Sequence, residues 1–427
     1  MQIEGQKTLW TMTGNPAPDF RQSAVPARAD AVVIGAGFTG LTAALALARA
    51  GKKVVVLEGT SIGAGASGTN AGFVVPNFAK ADPATVYQKL PREKAEALLK
   101  LVGEGADAVF STIREENIAC DASQVGWLQP AYGTATADLL RQRAADWQAL
   151  GRPVRFLSPA EIEQQTSLSI YSGGLLDESG GTIHPLNYAL GLANAVIRHG
   201  GVIREGAEVR NIGKAGADWT VSFSGGEVRA GTVLLCTNAY TSGAAGRMGR
   251  TVVPLRVYQV ATRPLPPETV ERISPQRRPV GDTRSNLFTY RLDRDNRLIS
   301  GGMAIVPLGA FERIGKAVVD RLVSELKLER HPGVEVVWTG VAAMTPDFLP
   351  RIHEFGEGFY GGIGCNGRGI AMTAQLGRVL ARAALGEPPG DLPVPMVKAR
   401  TLPFHSFTPI VVSAALAHAR FTDWMTR

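Results

Sequence analysis

Cysteine is scarce in this chain, and where it occurs it is isolated. There are three, Cys120, Cys236 and Cys365, with no CxxC pair and no metal-ligand spacing to histidine. A disulfide framework and a zinc site are therefore excluded as organising devices, and no metal is expected. Unpaired thiols suit a reducing compartment, so the expected location is cytoplasmic. No apolar run approaches the ~20 residues that span a bilayer. The opening MQIEGQKTLWTMTGNPAPDF shows no basic segment followed by an apolar one, so no signal peptide is read there. Lys/Arg runs and basic stretches interleaved with aromatics are also missing. The net charge of +7 and pI of about 9.4 then point to solubility or anionic ligands rather than to nucleic acid. No internal repeat or low-complexity segment stands out.

What is present describes a globular protein: 45% hydrophobic and 19% charged residues. A chain of 427 residues exceeds one ordinary core, so two domains are expected. ADAVVIGAG reads as a strand, FTGLTAALALARAG as a helix and KKVVVLEG as a second strand. Two uninterrupted apolar strands joined by a helix predict a parallel pair buried on both faces. Beyond Asn77 the texture turns charged and helix-periodic. HPLNYALGLANAVIRHGG is again helical, TVSFSGGEVRA reads as a hairpin with a Gly-Gly turn, and TVLLCTNAY as a strand returning to the first sheet. From Val252 to Val337 the reading is mostly strand, including PLRVYQVATRPL and NLFTYRLDRDNRLISGGM. The two domains are thus interleaved. One takes residues 28–80, 181–246 and 338–427; the other takes 81–180 and 247–337.

The turn GAGFTG follows a strand and opens a helix, the context a dinucleotide requires. Gly35 permits the tight turn, Gly37 lets backbone approach a pyrophosphate, and Gly40 allows close helix–strand packing. Glu58 ends the second strand about 20 residues on, where a carboxylate accepts hydrogen bonds from a ribose and disfavours NADP. NAD and FAD both remain open at this point. The loop TSIGAGASGTNAGF, with Ser67 and Asn70, would run under a ligand that continues past its pyrophosphate.

A second glycine-rich helix start, GGIGCNGRGIAM from Gly361 to Met372, stands far along the chain. A flavin dinucleotide gives it a purpose. Reduced flavin carries negative charge along its N1–C2=O edge, and a helix N-terminus aimed there would stabilise that charge. The two turns would then bind opposite ends of one FAD.

Taken together, GAGFTGLTAALALARAG, VVVLEG, GAGASGTNAGF, GTIHPLNYALGLANA, TYRLDRDNRLISGG, TPDFLP and GCNGRGIAMTAQLGRVLA resemble the D-amino acid oxidase family of FAD-dependent oxidoreductases. Within it they are most similar to the gamma-glutamylputrescine oxidoreductase-like group. The resemblance spans roughly Asp30 to Pro403. It implies an α/β fold in which a Rossmann-type FAD-binding domain is interleaved with an α+β substrate domain built on an antiparallel sheet. It also implies oxidation of the C–N bond of an amine or amino acid by hydride transfer to flavin N5. By motif, Gly35, Ala36, Gly37, Phe38, Thr39 and Gly40 are implied to hold the pyrophosphate and Glu58 the ribose. Ala66, Ser67, Gly68, Thr69 and Asn70 are implied along the pyrophosphate and ring side. Val209 is implied at adenine, and Gly367, Arg368, Gly369 and Ile370 at the pyrimidine end of the ring. Thr69 and Phe73 stand where arginine and glutamine are common, and Arg368 where histidine is often found. Gly340 occupies the position at which some relatives attach flavin through a cysteine, so noncovalent FAD is expected.

Amine oxidation needs a placed α C–H more than a strong base. The expected chemistry residues are therefore positioning groups. Arg291 beside Tyr290 would pair with a substrate carboxylate, Arg368 would sit near the ring, and Tyr258 would wall the pocket together with Tyr132 and Trp127. His184 and Cys365 read as structural. No residue is singled out as a base, and oligomeric state is left open. An NAD-dependent dehydrogenase, an RNA-modifying flavoprotein and a non-catalytic FAD-binding subunit are the rival readings.

Overall fold

The computed structural model describes residues 5–241, 246–284, 286, 288–306, 308–408 and 413. Its first sheet has nine strands, and its central part runs Val202–Arg204, Val54–Leu57, Arg28–Ile34, Gly226–Leu235 and Phe359–Ile363, all parallel. Burial explains the apolar runs. Ala31 and Val33 of Arg28–Ile34 enter one core, while Val32 and Ile34 enter another on the opposite face. The chain leaves Arg28–Ile34 to one side and returns as Gly226–Leu235 on the other. The strand order therefore reverses at these two strands, and a crevice opens beyond their C-terminal ends. The expected hairpin is present: Asp218–Phe223 pairs antiparallel with Gly226–Leu235 across Gly225 and Gly226.

Three helices cover one face: Phe38–Arg49, Pro185–Arg198 and Gly369–Ala384. Phe38–Arg49 and Gly369–Ala384 cross at Gly377. A Cβ there would overlap the Thr39 carbonyl oxygen and lie 2.9 Å from Thr42 Cβ. Two elements more than 300 residues apart in sequence are thus pressed backbone to backbone.

The second sheet has eight strands in the order Val334–Met344, Val253–Thr262, Leu298–Gly302, Thr289–Leu292, Val280–Gly281, Trp127–Pro130, Gly174–Asp177 and Val154–Leu157. All neighbours are antiparallel except one bridge, Val280 with Leu128. One face packs on the helix Ala310–Glu325. The other carries Ala261, Ile299, Val336 and Trp338 and meets a short N-terminal helix, Leu9–Thr13.

Three sequence expectations differ from this picture. Val334–Met344 is one unbroken strand paired along its length with Val253–Thr262, so residues 337 and 338 do not part there. Helices Arg92–Gly103 and Gly105–Glu115 lie within the expected second domain, yet Leu98, Leu99, Ala106 and Val109 share a core with Leu41, Ala43 and Leu380. Between Val252 and Val337 stand two helices, Pro267–Ile273 and Ala310–Glu325. The second has Ile314, Val318 and Leu322 on one buried face, a four-residue period that was available in the sequence.

The helix crossing yields a test. Gly377→Val inserts a branched side chain against backbone and should cost ~1–3 kcal/mol of stability. Urea unfolding with a midpoint equal to that of the wild type would show that the crossing tolerates the added volume.

Candidate functional site

A cavity of about 370 Å³ occupies the crevice at the strand-order reversal. Gly35, Gly37, Phe38 and Thr39 line it, as do Glu58, Thr60, Glu208 and Val209. Cys365, Gly369 and Thr373, from the second helix start, line the same cavity together with Ala66, Ser67 and Asn70. Gly35 has φ +103°, a backbone that L side chains rarely adopt, and it turns the chain from strand into helix. Glu58 braces that turn. Its carboxylate accepts from Ala36 N–H at 2.8 Å, from Thr60 N–H at 2.9 Å and from the Thr60 hydroxyl at 3.1 Å. The Ser67 hydroxyl accepts from Phe38 N–H at 2.9 Å, tying the wall loop to the first helix start.

Both long helices that point at the cavity lack a side-chain cap of their own. The N-cap of Phe38–Arg49 is Gly37 and that of Gly369–Ala384 is Arg368, and neither makes a capping hydrogen bond. Unsatisfied N–H groups at a helix N-terminus attract negative charge. A Cβ on Gly369 would meet nothing within 4 Å, so the second helix start faces open space. These features fit a long ligand with an anionic middle and a second electron-rich end. Bound FAD would have its pyrophosphate at the first turn, its ribose at Glu58 and its ring at the second.

The residues expected from sequence divide clearly. Gly35, Gly37, Phe38, Thr39, Glu58, Ala66, Ser67, Asn70, Val209 and Gly369 line the cavity. Gly40, Gly68 and Thr69 sit behind it. A Cβ on Gly40 would overlap the Gly35 carbonyl, one on Gly68 would overlap that of Gly63, and the Thr69 hydroxyl donates to Gly65 O at 3.1 Å. Ala36, Gly367, Arg368 and Ile370 are not among the lining residues either. Gly340 leaves no room for a tether, since a Cβ there would lie 2.7 Å from Thr69 Oγ1.

The chemistry residues are placed differently from expectation. Tyr258 and Tyr290 are buried in the core under helix Ala310–Glu325, where Tyr258 meets Phe311 edge-on at 5.5 Å. Arg291 is 3% exposed, and its Nη1 donates to Ile183 O at 2.7 Å and Gly72 O at 3.0 Å. Burial pulls its pKa down to about 10. Its guanidinium is an internal tie, which replaces the expected role as partner of a substrate carboxylate. Arg368 turns toward the second sheet, its guanidinium 5.1 Å over the Trp127 ring. The Arg368 Nε is buried without a hydrogen-bond partner, and burial, then Arg143, lower its pKa to about 10. Arg143 itself is engaged, donating to Gln129 Oε1 at 3.2 Å and pairing with Asp82. Burial raises the pKa of Cys365 and Cys236, so both cavity thiols stay protonated.

Sequence reasoning missed Thr237, Asn238, Tyr240 and Thr241, which also line the cavity. A signal existed. TNAY follows the strand expected to return beside the first, and the residue after such a strand faces the same crevice.

His184 caps the helix Pro185–Arg198, accepting from Asn187 N–H at its Nδ1. Its Nε2 lies 3.1 Å from the Thr13 hydroxyl, which itself donates to Leu9 O. This network assigns the proton to Nε2. Burial lowers its pKa to about 4. The unfolded chain therefore takes up this proton near pH 6.5 and the folded one only near 4, so stability should fall as pH drops through that window. The loss amounts to about 3 kcal/mol at most. Urea unfolding at pH 7 and pH 4.5 should show a smaller pH effect in His184→Asn, which retains a capping side chain. An equal pH effect in both proteins would remove His184 as the source.

Comparison with known proteins agrees with this geometry. The family model described as DAO, FAD dependent oxidoreductase, matches residues 30–383. The chain is 30% identical to gamma-glutamylputrescine oxidoreductase of Escherichia coli over 84% of each chain. Among solved structures, glycine oxidase from Geobacillus kaustophilus superimposes with a TM-score of 0.69 at 20% identity, covering 85% of this chain and 96% of that one. L-proline dehydrogenase from P. horikoshii gives 0.72 at 20% identity, covering 87% and 96%. With most of its length inside the matched region and the cavity built for a flavin dinucleotide, the chain belongs to the DAO family of FAD-dependent oxidoreductases.

Proposed function

We propose that the protein oxidises the C–N bond of a small amine or amino acid that carries a carboxylate, using noncovalent FAD, in the cytoplasm. FAD supplies the acceptor for the hydride from the substrate's α carbon. The protein supplies placement. The observation that carries the substrate reading is Arg368, a cation stacked on Trp127 with a buried, unpartnered Nε and no carboxylate bound to it among the described residues. A buried guanidinium N–H without a hydrogen-bond partner is costly. An anionic substrate group would relieve that cost and form charge-assisted hydrogen bonds.

Arg368 is also the residue immediately before the second helix start. A carboxylate held there would bring the neighbouring amine carbon to the ring end of the cavity. Gln129 belongs to the same strand as Trp127 and is held by Arg143, giving that wall a fixed polar edge. The amine of the substrate must be neutral to release hydride. No side chain is needed as a strong base if the amine binds already deprotonated. The three cysteines are free and buried, in keeping with the proposed cytoplasmic location.

The purified protein should be yellow and should bleach anaerobically with a carboxylate-bearing amine. Acid precipitation should leave the flavin in solution. Arg368→Met should raise KM for such substrates by roughly 30- to 1000-fold, the equivalent of ~2–4 kcal/mol for a lost buried partner. Simple alkylamines should be affected far less. Equal kinetics of mutant and wild type across acidic substrates would remove Arg368 from the substrate site, and a protein that no amine bleaches would overturn the oxidation itself.

A further inference from the structure

The loop that follows the cavity wall is gripped from outside in an unusual way. Its successive carbonyls, Thr69, Asn70, Ala71 and Gly72, accept from three side chains contributed by different parts of the fold. Trp338 Nε1 donates to Thr69 O at 2.8 Å, and Trp10 Nε1 donates to Asn70 O at 2.7 Å. Arg291 Nη1 donates to Gly72 O at 3.0 Å and reaches Ala71 O at 3.4 Å. Trp338 comes from the second sheet, and Trp10 from the helix Leu9–Thr13, which precedes the region matched by the family model.

We propose that this N-terminal helix is a positioning element for the flavin-side loop, with Trp10 as the positioning residue that sets the reduction potential of the bound ring. Asn70 lines the cavity while its carbonyl is held from behind. In a trans peptide the carbonyl and the next N–H point opposite ways. Fixing Thr69 O and Asn70 O therefore fixes the directions of the Asn70 and Ala71 N–H groups. The Asn70 side chain is locked as well, donating to Ser67 O at 2.8 Å and accepting from Gly72 N–H at 2.9 Å. A polar wall held this firmly cannot reorient when charge develops beside it, which is how preorganised dipoles favour the charged state.

The helix is built to deliver one ring. Thr8 and Thr11 form a capping box that closes its first turn. Trp10 is 1% exposed and sits edge-on to Trp338 at 6.0 Å and to His184 at 4.8 Å. The guanidinium of Arg291 lies 5.6 Å from its ring. Asn15 then donates its backbone N–H to Asn187 at 2.8 Å, so the segment is also tied on the C-terminal side of the tryptophan.

This inference rests on FAD binding but not on the substrate assigned above, and its test needs no amine. The FAD-loaded wild type and Trp10→Phe are compared by dye-equilibrated potentiometry and thermal unfolding. Trp10→Phe keeps an aromatic ring and removes the donor. It should retain FAD with an affinity within threefold of wild type, because the ribose and pyrophosphate contacts lie elsewhere. Its oxidised-to-reduced equilibrium should shift at least tenfold toward the oxidised flavin, about 30 mV for a two-electron couple. A smaller shift, or one of opposite sign, would overturn the proposal. If Trp10→Phe does not fold, Trp338→Phe, which removes the donor to the adjacent carbonyl, must show the same shift, and a wild-type potential there overturns the proposal equally.

Discussion

Everything at the site depends on the crossing of two helices at Gly377. Helix Gly369–Ala384 can aim its N-terminus at the cavity only because it lies backbone to backbone on Phe38–Arg49. A side chain at that crossing would lever the second helix start away from the first. The glycine turns are therefore coupled by packing, and that coupling fixes the distance over which one ligand must stretch. The second sheet is docked to the same frame through short contacts of its own. Gly340 admits the Thr69 side chain where any Cβ would collide, and Trp127 offers its ring to Arg368.

The first glycine turn was legible because it is local. Gly35, Gly37, Gly40 and Glu58 fall within one strand–helix–strand unit, and each needs only its neighbours to do its work. The second turn was legible as a helix start, and that start lies at the cavity through Gly369 and Thr373. The substrate side was misjudged for a reason of geometry. Successive residues of a strand face opposite sides, so proximity in sequence to a promising position carries no information about facing. Tyr258 enters the core beneath helix Ala310–Glu325, while its neighbour Gln259 lies against Gly301. Tyr290 and Arg291 divide in the same way, and the arginine is then absorbed by backbone carbonyls.

Long-range capture of backbone was invisible for a related reason. Nothing in TLWTMT says that its tryptophan will donate to a carbonyl 60 residues on. The same holds for the TNAY stretch, whose place at the cavity depends on which strand becomes the neighbour of Arg28–Ile34. The chain thus writes the first glycine turn in a local motif and the rest of the cavity in tertiary placement. That division is expected when one binding unit is a contiguous supersecondary motif and the other is a surface assembled from several strands.

The central claim is that two glycine-led helix starts grip one FAD. Hydrogen–deuterium exchange on the apoprotein, with and without FAD, tests it most directly, with ADP as the control for the nucleotide half. FAD should protect residues 35–40 and 58–60 together with 365–373, whereas ADP should protect only the first two segments. Protection by FAD confined to the segments that ADP protects would contradict the account, because the second helix start would then have no part in holding the flavin.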